Sequence, residues 1–242
     1  MTNNETVFVL RVVKADMTSR RNPDIQGSAP FVWPESGPVE APDWRDNDEC
    51  GWGLHGWLWG AGDLTGSCLY WNAEGVKWLV VEVKKDDVRN LNRKIKFPRG
   101  NVVFCGARDE AVKYITERAP AGTPVIFGTA TAGEGGTATA GYAGTATAGE
   151  GGTATAGDRG TATAGDRGTA TAGYAGTATA GEGGTATAGY AGTATAGEGG
   201  VITLLHWNVD RYKRVIGEIG EEGLKPKTPY ILDADGKIVE KK

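Results

Sequence analysis

The chain has 242 residues and a net charge of -4, from 26 Lys and Arg against 30 Asp and Glu. This length suffices for one large domain or two small ones, and the acidic balance argues against a protein that coats nucleic acid. No apolar run approaches the roughly 20 residues that cross a bilayer, and residues 1–10 lack the layout of a secretion signal. We therefore expect a cytoplasmic protein with neither nucleic acid nor membrane as a partner.

The cysteine and glycine contents further narrow the class of protein. Cys50, Cys68 and Cys105 are odd in number and show no Cys-x-x-Cys spacing, so neither a disulfide framework nor a zinc site is predicted. Glycine occurs 39 times, where a usual frequency of about 7% predicts roughly 17 residues. This excess indicates a repeated sequence.

Residues 1–120 predict an independently packed α+β domain, because they hold seven of the eight tryptophans and most bulky apolar residues. Strands are predicted at residues 5–13, 75–83, 94–97 and 101–105. A helix is predicted at residues 109–118, where Ala111, Val112, Tyr114 and Ile115 recur at helical spacing and Pro120 follows.

The stretch CGWGLHGWLWGAGD at Cys50–Asp63 is the most unusual part of this domain. Trp52, His55, Trp57 and Trp59 form a candidate aromatic pocket in which His55 is a general base or clamps a nucleotide. That alternative makes the chain an enzyme acting on a small molecule or nucleotide. We favour a structural His in a Trp-rich core, since no second catalytic motif accompanies it, and we predict no cofactor and no bound metal.

Four N-terminal motifs carry a resemblance to a known group. FVWPESGPVEAPDW, CGWGLHGWLWGAGD, WLVVEV and FPRGNVVFCG, together with GEEGLKPKTPY near the C-terminus, resemble an uncharacterised domain of tailed-phage proteins. The resemblance implies a phage origin, and with it a location in the host cytoplasm. It implies no established chemistry.

Nine consecutive octads of the form GTATAGxx fill Gly128–Gly199, and only their seventh and eighth positions vary. The Gly-, Ala- and Thr-rich composition of these octads is also typical of a flexible linker, but strict identity at six positions of each octad favours a folded repeat. Thr-Ala-Thr-Ala is typical of a short strand and Gly-x-x-Gly of a turn. Because four strand residues advance the chain by about 13 Å, the chain has to return in the next octad, which predicts a β-solenoid with 16-residue coils.

The variable positions sort into two edges of that solenoid. Odd octads place Glu134, Glu150, Asp166, Glu182 and Glu198 on one side, which we call the acidic edge. Even octads place Tyr142, Tyr174 and Tyr190, together with Asp158, on the other side, which we call the Tyr edge. The acidic edge is interpreted as solvated turn charges, with recruitment of Ca²⁺ or of a basic partner as the alternative.

Strand alternation places all Ala side chains on one face and all Thr side chains on the other. We expect Ala inward, because the opposite register would bury eighteen hydroxyls that need internal partners. The outward threonines are then the candidate binding surface. They are Thr129, Thr131, Thr137, Thr139, Thr145, Thr147, Thr153, Thr155, Thr161, Thr163, Thr169, Thr171, Thr177, Thr179, Thr185, Thr187, Thr193 and Thr195.

Alternating TAGY and TAGE turns with T-x-T strands resemble the central repeats of bacterial ice-nucleation proteins, whose 16-residue coils stack Thr ranks and a Tyr ladder. The resemblance implies that the Thr faces order water and that Tyr142, Tyr174 and Tyr190 form a self-association edge. Our leading interpretation is a non-enzymatic structural or binding protein that self-associates or binds an unidentified protein partner. Ice binding by the Thr ranks is the alternative within the same class.

Residues after the last octad predict a small β cap, which would cover strand edges that otherwise invite association. GVITLLHW at Gly200–Trp207 continues the octad with larger apolar residues. A strand is predicted at residues 212–219 and a hairpin at residues 230–240 around Asp235-Gly236; His206 is interpreted as structural. The chain thus divides into an N-terminal domain (1–120), a mostly β solenoid (121–207) and a C-terminal cap (208–242).

Overall fold

The computed structural model describes residues 5–19, 29–62, 64, 71–92 and 94–242. Cys68 lies outside the described residues. The chain forms two compact units, Met1–Ala121 and Gly122–Lys242. The second unit contains both the repeat and the residues predicted to cap it.

The first unit contains a seven-stranded sheet whose strand pairs are all antiparallel. Its strands are β1 (Thr6–Val13), β2 (Gly37–Glu40), β3 (Leu54–Leu58), β4 (Lys77–Lys84), β5 (Arg89–Asn90), β6 (Ile95–Phe97) and β7 (Arg99–Gly106). Their order across the sheet is β2-β7-β4-β1-β3-β6-β5. The long apolar strands β1 and β4 lie at its centre, where both faces are covered.

One helix, α1 (Arg108–Thr116), packs against β1, β4 and β7. Ala111, Val112 and Ile115 are the buried residues of this helix. The Tyr114 ring meets the Phe8 ring edge-on, with 6.0 Å between the ring centroids. The predicted amphipathic helix is therefore confirmed, and with it the α+β class of this unit.

The four strands predicted in this unit are confirmed with small shifts at their ends, and three further strands were not predicted. The missed strands β2, β3 and β5 are short, and β2 begins with Gly37-Pro38 while β3 contains Gly56. Glycine and proline weaken a strand signal because they lack, respectively, a side chain to pack and a backbone N–H to donate. Pairing with longer neighbours nevertheless holds these segments in the sheet.

The second unit is a β-solenoid with one short strand in each octad. The strands are β8 (Thr129–Ala132), β9 (Thr137–Ala140), β10 (Thr145–Ala148), β11 (Thr153–Ala156), β12 (Thr161–Ala164), β13 (Thr169–Ala172), β14 (Thr177–Thr179), β15 (Thr185–Ala188) and β16 (Thr193–Thr195). Thr145 pairs in parallel with Thr129, and Thr153 with Thr137. This offset confirms the 16-residue coil: odd octads build one sheet and even octads the other.

The alanines of the Thr-Ala-Thr-Ala strands face inward, as predicted. Ala146, Ala154 and Ala162 are all 0% exposed, and the inner alanines form one continuous apolar cluster. Each buried methyl contributes only about 0.8 kcal/mol, so this thin core depends on the backbone ladders between coils and on the small entropy cost of ordering Ala.

Antiparallel strands cap the C-terminal end of both sheets. β17 (Val201–Asn208) is the tenth octad and continues the even sheet, where it pairs in parallel with β15. β18 (Arg211–Glu218) covers β17, and β19 (Tyr230–Leu232), paired with β20 (Ile238–Glu240), covers β16. The predicted terminal half-coil, strand and hairpin are thus confirmed.

Candidate binding surfaces

The threonine side chains form regular outward arrays on both sheets of the solenoid. Equivalent Thr residues in adjacent coils are in register, so they lie about 4.8 Å apart along the axis, and the two Thr of one strand lie about 6.6 Å apart. Thr129, Thr145 and Thr161 are exposed on the odd sheet, as are Thr137 and Thr153 on the even sheet. Each sheet therefore presents a two-dimensional lattice of hydroxyl and methyl groups.

The odd Thr array is partly covered at its C-terminal end. Thr193 is only 5% exposed, and its Oγ1 accepts a hydrogen bond of 3.1 Å from Lys241 Nζ. On the even sheet, Val201 replaces Thr in the tenth octad and Thr203 is buried. The accessible arrays thus end at the cap on both sides.

The three tyrosines of the Tyr edge have different surroundings. Tyr142 is 9% exposed, and its ring meets that of Phe127 at a centroid distance of 6.0 Å. Tyr174 and Tyr190 are 45% and 40% exposed and stack at 6.2 Å with an interplanar angle of 24°. Asp158 occupies the coil between Tyr142 and Tyr174, so the exposed stack contains only the later two of the three tyrosines.

Two aromatic residues from the cap extend this stack, and the sequence pattern did not identify them. The Tyr212 ring lies 6.1 Å from that of Tyr190 and 4.9 Å from that of Trp207. We call Tyr174, Tyr190, Tyr212 and Trp207 the aromatic strip. Tyr212 lies outside the repeat on an antiparallel strand, so octad periodicity holds no signal for it.

The acidic edge is a stack of exposed turns joined by backbone hydrogen bonds. Gly135 N–H donates to Glu150 O and Gly151 N–H to Asp166 O, each at 2.8 Å. The Asp166 carboxylate accepts the Glu182 N–H at 2.9 Å, and Arg167 forms an ion pair with Glu150. Within the described residues, no group of three His, Cys, Asp or Glu side chains is placed to hold a metal ion.

The candidate aromatic pocket of the first unit separates into different environments. His55 and Trp57 lie on one face of β3, where Trp57 is buried and stacks on Trp78 at 6.3 Å. Trp52 lies under the Arg45 guanidinium at 3.5 Å, and the Trp59 ring packs edge-on against that of Phe8 at 5.6 Å. A groove of about 530 Å³ lies elsewhere, along β1, β2, β4 and β7, and none of the four predicted residues lines it.

His55 is neutral near pH 7. Burial, followed by the positive charges of Lys94, Arg11 and Lys96, lowers its pKa from 6.5 to about 3. Its Nε2 accepts a long hydrogen bond of 3.5 Å from Gly51 N–H. A base with such a low pKa is poorly matched to proton transfer at neutral pH, whereas a neutral acceptor suits a side chain that holds the Gly-rich loop.

Lys96 anchors the same loop from the neighbouring strand. It is 0% exposed, and its Nζ donates to Glu49 O at 2.8 Å and to Asn47 Oδ1. The Trp44 ring lies 5.4 Å from the same nitrogen. These contacts offset the cost of burying the ammonium group, so hydrogen bonds of His55 and Lys96 hold a loop that is itself exposed or half-buried.

Comparison with known proteins distinguishes the two units. Residues 7–113 match the family model of a domain of unknown function, DUF7666. The repeat region is similar to ice nucleation proteins of Xanthomonas campestris pv. translucens, Pseudomonas fluorescens and Pseudomonas syringae, with 39%, 37% and 40% identity over 92, 116 and 98 residues. These matches cover 37%, 47% and 39% of this chain but only 6%, 9% and 8% of the relatives.

The chain therefore spans less than a tenth of the length of these curated relatives. They are named for ice nucleation and not for an enzymatic reaction, which agrees with the structural, non-enzymatic character predicted for the repeat. No solved structure matches the chain. In the described part of the chain, no helix has both the length and the hydrophobicity to span a membrane.

Proposed function

We propose that this protein binds ice through the Thr arrays of its β-solenoid. The observation that carries the proposal is the in-register stacking of outward Thr on both sheets, at a regular spacing along and across the strands. Similarity of the repeat to ice nucleation proteins supports it. A rigid array of methyl and hydroxyl groups offers water a repeating set of hydrogen-bond sites and apolar contacts.

Rigidity is the physical requirement of this function. A β-branched Thr in a strand has few χ1 choices, and strands inside the array, such as β12, are hydrogen-bonded to the coils before and after them. Ordering the surface around bound water therefore costs little further side-chain entropy. The array has only nine octads, so we propose adsorption to existing ice and not efficient nucleation of new ice.

Thermal hysteresis of the full chain tests the proposal, alongside partition into growing ice. Replacing Thr153, Thr155, Thr169 and Thr171 by Lys removes the centre of the even array, and the matched variant changes Thr145, Thr147, Thr161 and Thr163 on the odd array. We expect the activity of the native chain to fall in the variant whose face contacts ice. A native chain with an intact β spectrum and no thermal hysteresis contradicts the proposal.

We propose self-association through the Tyr edge as a second function, supported by the exposed stack of Tyr174 and Tyr190. Exposed aromatic groups are enriched at protein interfaces. Changing both to Ser should lower the mass measured by light scattering. Tyr142 is a useful control because it is buried against Phe127.

The N-terminal motifs support a further proposal, that the protein is phage-encoded and acts in the host cytoplasm, where it meets a protein partner. The matched domain of unknown function assigns no activity to this unit. The genes adjacent to the coding sequence test this origin: a setting without other phage genes would contradict it.

A further inference from the structure

Arg11 lies on β1 in the first unit, on the face of the sheet opposite α1. Strand alternation places it on the same face as Val9 and Val13, whereas Phe8 points to the helix. Val9, Val13 and Trp33 belong to one apolar cluster on this face. Arg11 is half-buried there, and its guanidinium carbon lies 5.7 Å from the centre of the Trp33 ring. A cationic side chain therefore lies against an apolar surface.

Arg11 and Trp33 each carry a buried donor without an acceptor. Trp33 is 3% exposed, and neither its indole Nε1 nor Arg11 Nε has a hydrogen-bond partner among the described residues. Within the same part of the chain, the Arg11 guanidinium forms no ion pair. Buried polar atoms are normally hydrogen-bonded, and leaving one unsatisfied is costly. Two such donors on neighbouring side chains indicate a site for an acceptor.

Charge indicates that this acceptor is an anion. Both atoms donate and neither accepts; water would satisfy the hydrogen bonds but would leave the guanidinium charge without a counter-ion. The field of that charge extends to His55. Burial lowers the pKa of His55, and the positive charges of Lys94, Arg11 and Lys96 lower it further, to about 3, with no carboxylate of the described residues offsetting them. The surroundings of Arg11 thus favour a negative charge.

The indole donor is held in place by the chain on both sides of it. Trp33 N–H donates to Met17 O at 2.9 Å, and Ser19 N–H donates to Phe31 O at 2.9 Å. The Phe31 ring packs edge-on against the Trp33 ring, with 5.4 Å between the centroids. A donor that is already fixed in position loses little entropy when a ligand binds.

We propose that Arg11 and Trp33 bind the anionic group of a small ligand, a carboxylate or a phosphate. The guanidinium offers Nε and one Nη in parallel to two oxygens of such a group, and Trp33 Nε1 supplies a further hydrogen bond. The apolar cluster beside these donors suits the uncharged remainder of the ligand. The site is separate from the groove of about 530 Å³, whose lining contains neither residue.

Thermal unfolding of the full chain tests this inference. Tryptophan fluorescence follows the first unit, because seven of the eight tryptophans lie in residues 1–120. Sodium phosphate and sodium acetate are each compared with sodium chloride at equal ionic strength and pH. We expect at least one of them to raise the unfolding midpoint by about 5 °C for each tenfold increase above its dissociation constant. A response to phosphate alone assigns a phosphate ligand, and a response to acetate alone assigns a carboxylate.

Variants separate binding from the general effect of these salts on apolar burial. Arg11→Gln removes the charge and should abolish the response, whereas Trp33→Phe removes only the indole N–H and should weaken binding about tenfold. Lys14→Gln removes an equal charge from an exposed site just after β1 and should respond like the native chain.

Arg11→Lys provides a second test if Arg11→Gln does not fold. It keeps the charge but loses the parallel donors, so binding should weaken about tenfold or more. Equal responses of the native chain and the Arg11 variants would show that the salts act elsewhere and would overturn the inference. A native chain that responds to neither phosphate nor acetate would also overturn it.

Discussion

Glycine has two distinct roles in the octad. At the sixth position it is required by close stacking: a Cβ at Gly149 would lie 2.7 Å from Glu134 N, and one at Gly165 would lie 2.7 Å from Glu150 N. The eighth position instead adopts the left-handed conformation, with φ of 60° at Gly183 and 51° at Ala175. Glycine is thus obligatory where coils touch and replaceable where the chain only turns.

A pair of alanine substitutions separates these roles. Gly165→Ala should lower the free energy of unfolding by about 3 kcal/mol or more, because its Cβ would overlap the backbone of the preceding coil. Gly183→Ala should cost about 1 kcal/mol, the strain of a left-handed non-glycine residue, since its Cβ would meet only Arg167 Cγ at 3.6 Å. Urea denaturation followed by circular dichroism measures both, and equal losses would contradict the distinction.

The tenth octad differs from the other nine because it joins the solenoid to its cap. Ile202 and Leu204 occupy inward positions that hold Ala elsewhere, and they are 0% and 1% exposed. Leu224 and Ile238 pack against the same cluster. These larger side chains close the apolar core at its C-terminal end. β17 therefore continues the even sheet and is also the last strand of the repeat.

Ile202→Ala tests the role of this strand. It restores the residue of the repeat, yet it should lower the free energy of unfolding by about 2–5 kcal/mol, the usual cost of a cavity left by a large buried side chain. The matched change Val201→Thr restores the repeat at an outward position and should alter stability by less than about 0.5 kcal/mol. Thermal unfolding of both variants measures the difference; a stable Ile202→Ala protein would show that the cap packs independently of β17.

The second unit is quasi-one-dimensional, because each coil contacts the coils next to it and the caps close its C-terminal edges. In such arrays stability is approximately a sum over coils and the interfaces between them. The number of coils is then a variable quantity, whereas the caps are required to cover open strand edges.

Deletion of residues 161–176 removes one complete coil and joins Gly160 to Thr177 in the repeat pattern. We expect a folded solenoid whose free energy of unfolding falls by one coil's contribution, because the remaining coils restack at the same offset. Truncation after Trp207 removes β18, β19 and β20 and should cause aggregation at the open edges. Far-UV circular dichroism reports whether the coil-deletion variant folds, and light scattering reports whether the truncated variant aggregates. An unfolded coil-deletion variant would show that the native number of coils is essential.

The path of the solenoid was predictable from the repeat. Four strand residues and four turn residues leave the chain one way to close, and the inward Ala follows because buried Thr hydroxyls would need internal partners. The non-repeat elements were predictable where apolar residues form a long strand or an amphipathic helix, as in β1, β4 and α1. Short strands such as β3 were missed because their identity comes from neighbours distant in sequence.

The candidate surfaces likewise divide into those that the sequence predicts and those that depend on tertiary contacts. The Thr arrays and the two edges follow from octad spacing, because periodicity along the chain becomes periodicity in space. The aromatic strip does not, since Tyr212 meets Tyr190 only after β18 folds back along β17. Contacts between coils follow from the repeated sequence itself, whereas contacts between the cap and the repeat exist only once the chain has folded.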